Sequence, residues 1–334
     1  MNRLFISALA ALALTAPAGC SSKSTATDAQ ASADSLSATV DSVPTVYFIR
    51  DITPENLVKI YEALGRKAEG KVAVKLSTGE PGNDYHLDPK LIAPLVQQLN
   101  ATIVENNTAY NGGRDHTADH LKAAAEHGFT AIAPVVILDA EGEDTLAVAG
   151  GRHLKENYVG KGWKDYDFTV VLSHFKGHPM AGFGGAMKNI SIGLASSKGK
   201  CWIHSAGQYT DKAQTWANVP VDTVFQESMA EASKSVIDKA GDRILYINVA
   251  NNLSVDCDCV ATPAAPEMDD LGIFASLDPV ALDRACVDAV RESPDHGKKH
   301  LLERIDSRHA MHNLEYAEKI GAGTQKYKLV TISE

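Results

Sequence analysis

The chain has 334 residues, of which 44% are hydrophobic, so it is long and apolar enough to bury a sizeable core. Its 32 lysines and arginines against 42 aspartates and glutamates give a formal net charge of −10, and no basic cluster occurs. This balance argues against nucleic acid as a partner, because phosphate backbones are bound by clustered lysine and arginine.

The first twenty residues have the pattern of a bacterial lipoprotein signal. Arg3 precedes an uncharged apolar run at 4–16 that is too short to span a bilayer as a helix. We predict a signal peptide at 1–19 and lipidation of Cys20, which anchors the mature chain to a membrane. Because Pro17 stands where such signals usually carry leucine, a plain secretory signal is the alternative. The expected location is the bacterial cell envelope, facing the periplasm or the exterior.

The next segment, 20–43, is predicted to be a lipidated cysteine followed by a disordered tether. It is rich in serine, alanine, threonine and aspartate and has no aromatic residue, so it cannot bury enough apolar surface to fold. The remainder, 44–334, is predicted to be one large domain, and its length suits an α/β fold.

Within this domain, short β-branched runs alternate with segments that carry helix start signals. Threonine or aspartate before proline predicts helix starts at Thr53, Asp88 and Asp278, and a further helix runs from Asp222 to near Gly241. The alternation predicts an α/β fold whose mostly parallel sheet has helices on both faces. The predicted strands are 71–76, 101–105, 134–138, 168–172 and 244–249, with 327–332 as a last strand.

Polar segments follow four of the predicted strands, beginning at Ser77, Asn106, Ser173 and Asn251. In open α/β sheets, ligands bind beyond the carboxyl ends of the strands. We therefore expect these segments to meet at one rim of the sheet and to form the functional site there.

The segment 173–204 is rich in glycine and contains three histidines. Because glycine lets backbone N–H groups converge on an anion, we predict that Gly184, Gly185, Lys188 and Asn189 bind an anionic ligand or cofactor. A close-packed turn that needs small residues is the alternative. The segment has neither a Walker loop nor a dinucleotide-binding fingerprint, so a nucleotide ligand is not predicted.

Two cysteines stand two residues apart at Cys257 and Cys259. Thiolates at this spacing face the same side of an extended segment and bind soft metals, so we predict a metal ion (zinc or iron) or an iron–sulfur cluster. His174 and His178 are the predicted further ligands, because adjacent parallel strands would bring the two segments to one rim. Alternatives are a disulfide, for which the chain offers the partners Cys201 and Cys286, and inert thiols.

Other candidate sites are weaker. The pairs His116/His120 and His296/His300 have the spacing of helical metal ligands, but their charged neighbours favour a solvated helix face. No G-x-S-x-G motif occurs, so a serine hydrolase of that kind is excluded.

Six segments of the chain form a recognisable set of motifs: KVAVKLSTGEPGN, NNTAYNGGR, SHFKGHPMAGFGGAMKNISIG, CDC, DDLGIFAS and DPVALDRACVD. Together they resemble the family called "domain of unknown function 362", over about residues 46–330. Members are often described as iron–sulfur-centre proteins, although this chain lacks a C-x-x-C-x-x-C cluster motif.

The resemblance implies functional positions that include Lys75, Lys188 and His204, which we take as catalytic candidates. It also implies roles for Asp270 and Asp283, in addition to Asp278 and the metal-ligand and anion-site residues already named. Two hypotheses follow: a metal- or cluster-dependent enzyme that transforms a small molecule, by redox chemistry or otherwise, and a non-catalytic lipoprotein that binds a metal ion or an anionic ligand.

Overall fold

The computed structural model describes residues 43–333. The predicted signal peptide, Cys20 and nearly all of the predicted tether lie outside the described residues. The chain from Val43 onward forms one compact unit. None of its described helices combines the length and the apolar character that crossing a membrane requires.

The strands and helices alternate along the chain as the sequence predicts. The strands are β1 (Thr45–Ile49), β2 (Val72–Lys75), β3 (Thr102–Glu105), β4 (Val135–Ile137), β5 (Glu143–Ala147), β6 (Glu156–Gly160), β7 (Phe168–His174), β8 (Lys176–His178), β9 (Gly182–Gly184), β10 (Ile244–Ala250), β11 (Gly272–Ser276) and β12 (Lys328–Thr331). The helices are α1 (Pro54–Ala63), α2 (Pro89–Gln98), α3 (Thr117–Glu126), α4 (Ala186–Lys188), α5 (Ser197–His204), α6 (Lys212–Ala217), α7 (Asp222–Ala240), α8 (Pro279–Glu292), α9 (Lys298–Ser307) and α10 (Met311–Lys319).

Three helices begin where a capping residue precedes proline. The side chains of Thr53, Asp88 and Asp278 accept hydrogen bonds from backbone N–H groups in the first turns of α1, α2 and α8. Each cap satisfies a donor that the helix itself cannot pair, and the proline fixes the first φ angle. The predicted helix starts are confirmed at all three positions.

Eight strands form one sheet in the order β12-β1-β11-β10-β7-β2-β3-β4. Only β11 runs antiparallel to its neighbours in this sheet, β1 and β10, and the other pairs are parallel. The mostly parallel α/β architecture predicted from the sequence is therefore confirmed. The strands β1 and β11 were not predicted, and neither were the separate hairpins β5–β6 and β8–β9.

Hydrophobic cores cover both faces of this sheet. Along β10, Leu245, Ile247 and Val249 join the core that contains α1 and α2 residues, whereas Tyr246 joins the core packed by α7 and α8. Successive strand residues point to opposite faces, so this alternation requires helices on both sides. The carboxyl ends of β2, β3, β7 and β10 are left free at one edge of the sheet, because these four strands run in the same direction.

Candidate functional site

A cavity of about 280 Å³ lies at the carboxyl ends of these parallel strands. Its wall combines the segments that follow β2, β3 and β7 with the loop after β10 and the inner face of α5. Lysine and arginine outnumber aspartate and glutamate in this wall, which suits an anionic ligand. The charged lining residues are Lys75, Arg114, Lys176, Lys188, Lys200, Glu105 and Asp258.

Cys257 and Cys259 are free thiols in the loop after β10 and line this cavity. The backbone N–H of Cys259 donates to Cys257 Sγ at 3.3 Å. A hydrogen bond from the Cys259 thiol holds the pKa of Cys257 well below its usual range, with help from the positive charge of Lys188. The same shared proton raises the pKa of Cys259 well above its usual value. Of the two thiols, Cys257 is therefore the one that loses its proton more readily.

The side chain of His178 completes a group of three potential metal ligands with the two sulfurs. One ligand atom from each of the three residues lies within 4.8 Å of the others, and this is the one such group in the described chain. His178 Nε2 lies 4.0 Å from Cys259 Sγ. The structure thus brings together three of the four predicted ligands.

The hydrogen bonds of His178 fix which ring nitrogen carries its proton. Nδ1 accepts two backbone N–H bonds, from Met180 at 3.1 Å and from Ala181 at 2.9 Å. Burial lowers the pKa of His178 to about 4, so the ring is neutral at physiological pH and its proton sits on Nε2. Histidines that bind metals normally donate from the nitrogen that does not face the metal, and here that nitrogen is an acceptor. His178 is therefore placed as an N–H donor toward the sulfurs.

The fourth predicted ligand, His174, does not join the group of sulfurs. Its Nδ1 lies 3.0 Å from Asp258 Oδ1, and its Nε2 lies 2.6 Å from the carbonyl oxygen of Asn251. Lys176 Nζ forms an ion pair with the other oxygen of Asp258, at 2.7 Å. Both ring nitrogens of His174 are engaged, so this side chain secures the loop of Cys257 and Cys259 to the end of β7.

His204, at the end of α5, lines the cavity with the opposite tautomer from His178. Its Nδ1 lies 2.7 Å from the backbone carbonyl oxygen of Lys200, so Nδ1 carries the proton and donates. Burial lowers the pKa of His204 to about 3, which leaves a free lone pair on Nε2. The ring stacks on Phe225 and lies against Trp216, and these contacts fix its plane.

In the wall of the cavity, Lys75 and Arg114 share one buried carboxylate, Glu105. Lys75 Nζ lies 3.6 Å and Arg114 Nη1 lies 3.4 Å from its oxygens. Burial lowers the pKa of Lys75 to about 8, although the charge of Glu105 opposes the shift. The second bond of Arg114, from Nε to Glu80 at 3.0 Å, completes a paired network that needs no ligand.

The glycine-rich turn before α4 is occupied by a carboxylate of the protein itself. Asp283 of α8 accepts hydrogen bonds from the backbone N–H groups of Ala186 at 2.7 Å and Met187 at 2.9 Å. A Cβ atom on Gly185 would lie 2.4 Å from Asp283 Oδ1, so glycine is required there for close approach. These two N–H groups are therefore not available to an external anion, and the alternative prediction of a close-packed turn describes this end of the segment.

The remaining residues predicted for the anion site have separate contacts. A Cβ atom on Gly184 would lie in ordinary contact with Lys188 Cδ, at 3.8 Å. Gly184 lines the cavity beside Lys188, which has no ion-pair partner among the described residues. Asn189 donates from Nδ2 to Ser173 Oγ and to the Lys75 carbonyl oxygen, both at 3.1 Å, and so ties two strand ends together. Of the predicted set, Lys188 alone presents an unpaired charge to the cavity.

One lining residue that the sequence did not single out is Lys200 on α5. Its side chain is buried, and Nζ donates to the carbonyl oxygen of Ala195 at 2.6 Å. Burial lowers its pKa to about 7. The spacing of four residues between Lys200 and His204, which puts both on one face of a helix, was the signal that could have identified it.

The weaker sequence candidates do not gather into sites in the described chain. His116 is exposed while His120 is buried 3.4 Å from Glu105, and His300 pairs on the surface with Glu267. Cys201 and Cys286 are buried free thiols, the latter within the hydrophobic core. Among the positions implied by family resemblance, Asp270 and Asp278 accept backbone N–H bonds and so stabilise a loop and a helix start.

Comparisons with known proteins identify a family but no characterised close relative. The profile described as "Domain of unknown function (DUF362)" matches residues 72–288, which include every cavity residue discussed above. Among curated proteins, no sequence matches this chain.

The solved structures that are similar to this chain include the following two. The lactate racemase apoprotein from Thermoanaerobacterium thermosaccharolyticum is 18% identical, with a TM-score of 0.38, over 61% of this chain and 50% of that one. A protein from Thermotoga maritima is 14% identical, with a TM-score of 0.38, over 80% of this chain and 58% of that one. The chain thus spans about half the length of the structures that it matches.

Proposed function

This chain belongs to the domain of unknown function 362 family, and we propose that its domain is an enzyme that transforms a small anionic molecule at a metal centre. The centre is a zinc or iron ion, or an iron–sulfur cluster, held by Cys257 and Cys259. The observation that carries this proposal is a pair of free thiols, close enough to share one ion, in the wall of a cavity rich in cations.

The donor set of this loop fits a soft metal. Two sulfurs from one short loop lie within reach of a single ion, and lysine charge beside them favours the thiolate forms that metals require. Because the Nε2 of His178 carries a proton, we assign it as a hydrogen-bond donor to the sulfurs and not as a third ligand. A centre with only two protein ligands keeps positions open, and it would supply Lewis-acid or redox chemistry.

The side chains around the centre are suited to orient a bound molecule by hydrogen bonds. His204 presents a bare Nε2 that can accept a hydrogen bond from a bound molecule, whereas the single N–H of His178 is directed to the sulfurs. Fixed donors and acceptors in one cavity hold a molecule in a reactive orientation. Lys188 supplies positive charge for the anionic part of the molecule.

A non-catalytic binder of a metal ion or an anion is the second candidate, favoured by the surplus of lysines alone. Such a binder has no need of two buried neutral histidines with complementary tautomers. Buried groups with perturbed pKa values gather at catalytic sites more often than at storage sites, so we give the enzyme precedence.

Metal analysis of protein purified without oxygen tests the proposal. Cys257→Ala and Cys259→Ala should each lose the bound metal, since either substitution leaves a single sulfur. Cys286→Ala is the matched control, because that thiol is buried in the core and away from the cavity. Unchanged metal content in both loop variants, or a Cys257–Cys259 disulfide in active protein, would overturn the proposal.

We further propose that the domain works outside the cytoplasm as a lipoprotein anchored through Cys20. Support comes from the short uncharged run, the small residues before Cys20 and the polar segment that follows. Its partners would then be a membrane, through the lipid, and a small anionic molecule in the cavity.

A further inference from the structure

We infer that Lys200 binds an anionic group of the substrate together with Lys188, so that the substrate is a small dianion such as a dicarboxylate or a phosphate compound. This inference rests on the proposed function, because it assumes that a metal occupies both sulfurs of the loop. It adds a ligand class and a contact residue that the family and the motifs do not assign.

Charge pairing within the cavity singles out these two lysines. Arg114 and Lys75 are compensated by Glu80 and Glu105, and Lys176 is compensated by Asp258 at 2.7 Å. Each of these three residues has a carboxylate within 4.0 Å of its charged group. In the described chain, no carboxylate lies that close to the ammonium group of Lys188 or of Lys200.

Lys188 is close enough to Cys257 for its charge to lower the pKa of that thiol. When both thiolates bind a metal ion, the charge of the metal balances that of the thiolates. The positive charge of Lys188 is then available to pair with an anionic ligand. Lys200 has no thiolate, carboxylate or phenolate at bonding distance in the described residues, and its only hydrogen-bond acceptor is Ala195 O.

Because Lys200 is buried, its charged form is destabilised by the lack of a counter-charge within bonding distance. The residue is 7% exposed, and a lysine ammonium in such a place is costly unless paired. The groups that surround it are mixed, with Asp139 and Glu105 favouring the charged form and Lys75 and Arg114 opposing it. A bound anion next to Lys200 would supply a counter-charge, and it would therefore raise the pKa of the amine and favour its charged form.

Two of its three possible donors have no acceptor in the described chain, and they are the ones available to a ligand. The cavity of about 280 Å³ accommodates a molecule of a few carbon atoms with two charged groups. Lys188 and Lys200 both line it, so a single molecule can contact both.

Titration calorimetry with malonate, inorganic phosphate and acetate on the metal-loaded protein tests this inference. At equal ionic strength, malonate or phosphate should bind at least tenfold more tightly than acetate. The one of these two dianions that binds more tightly shows whether the cavity takes a dicarboxylate or a phosphate compound. Lys200→Met should weaken that binding at least tenfold. Lys198→Met is the matched control, because Lys198 lies on the same helix, is only partly buried and pairs with Glu143 at 2.9 Å.

A second measurement needs no variant. At pH 8 the dianion should bind with uptake of a fraction of a proton, seen as a dependence of the heat on the ionisation enthalpy of the buffer, because binding raises the pKa of Lys200. Dianion affinity equal to that of acetate, unchanged affinity in folded Lys200→Met, or binding without proton uptake would overturn the inference. Lys200→Met should keep its metal, so a failure here is distinct from metal retention in Cys257→Ala, which would refute the proposed function itself.

Discussion

Replacing Asp283 with alanine should destabilise the domain, because this carboxylate holds the turn that carries Lys188. Asp283 is fully buried and accepts bonds from the backbone N–H groups of Ala186 and Met187 and from Asn248 Nδ2 at 2.8 Å. Each of these donors, once unsatisfied and buried, costs about 1–3 kcal/mol. Three donors together therefore lose about 6 kcal/mol.

Part of this loss is offset, because the buried charge itself is unfavourable. Burial raises the pKa of Asp283 to about 6 from the usual 3.8, which corresponds to about 3 kcal/mol at pH 7. The net cost of Asp283→Ala at pH 7 is then about 3 kcal/mol. Because the folded-state pKa lies above the unfolded one, the contribution of Asp283 is largest below about pH 4 and declines as the pH rises through 6. The difference between wild type and variant should therefore widen as the pH falls from 7 to 5.

Urea unfolding followed by circular dichroism at pH 7 and pH 5 measures both effects. Glu292→Ala is the control on the same helix, since Glu292 is exposed and its loss should cost less than about 0.5 kcal/mol. An Asp283→Ala variant within about 1 kcal/mol of wild type at pH 7, or a gap that narrows at pH 5, would refute this reasoning.

Three further predictions concern single side chains. Cys20→Ser should move the protein from the membrane fraction to the soluble fraction of the envelope, and retention in the membrane would refute the anchor. Lys188→Met should weaken dianion binding at least tenfold in calorimetry without lowering the thermal midpoint by more than about 2 °C, because this side chain pairs with nothing in the described fold; an unfolded variant would show the lysine to be structural. For His204→Gln, the loss of stability on acidification from pH 6 to pH 4 should be smaller than in wild type by about 1.4 kcal/mol per pH unit, measured by urea unfolding. Burial depresses the pKa of His204 in the folded state to about 3, so the contribution of neutral His204 to stability is full above pH 6.5 and declines as the pH falls. A variant whose stability falls with pH as steeply as that of wild type would contradict this prediction.

The central strands could be predicted from the sequence because helices cover both faces of the sheet. A strand buried on both sides, such as β7 or β10, is an unbroken apolar run and stands out from its surroundings. The strand β11 escaped prediction because it returns antiparallel between β1 and β10, outside the repeating strand–helix–strand pattern. The hairpin β8–β9 escaped because its strands are three residues long and rich in glycine.

The position of the site at the rim of the sheet was predictable, because parallel strands that run in one direction end at one edge. This arrangement brings Cys257, Cys259 and His178 close together. The hydrogen-bond partners of the site residues could not be predicted from the sequence, because they come from distant segments of the chain. His174 contacts Asp258, which lies 84 residues away. The backbone of the glycine-rich turn donates to Asp283, which lies 97 residues from Ala186.

Metal position in a crystal tests the central claim most directly, through anomalous scattering from protein purified without oxygen. We predict an anomalous peak, from a single ion or from one iron of a cluster, at about 2.3 Å from both Cys257 Sγ and Cys259 Sγ. His178 Nε2 should lie outside bonding distance of this peak and within hydrogen-bond reach of a sulfur. A peak bonded to His178 Nε2 would contradict the assignment of that histidine as a donor. A map without a peak at the two sulfurs would contradict the metal centre itself.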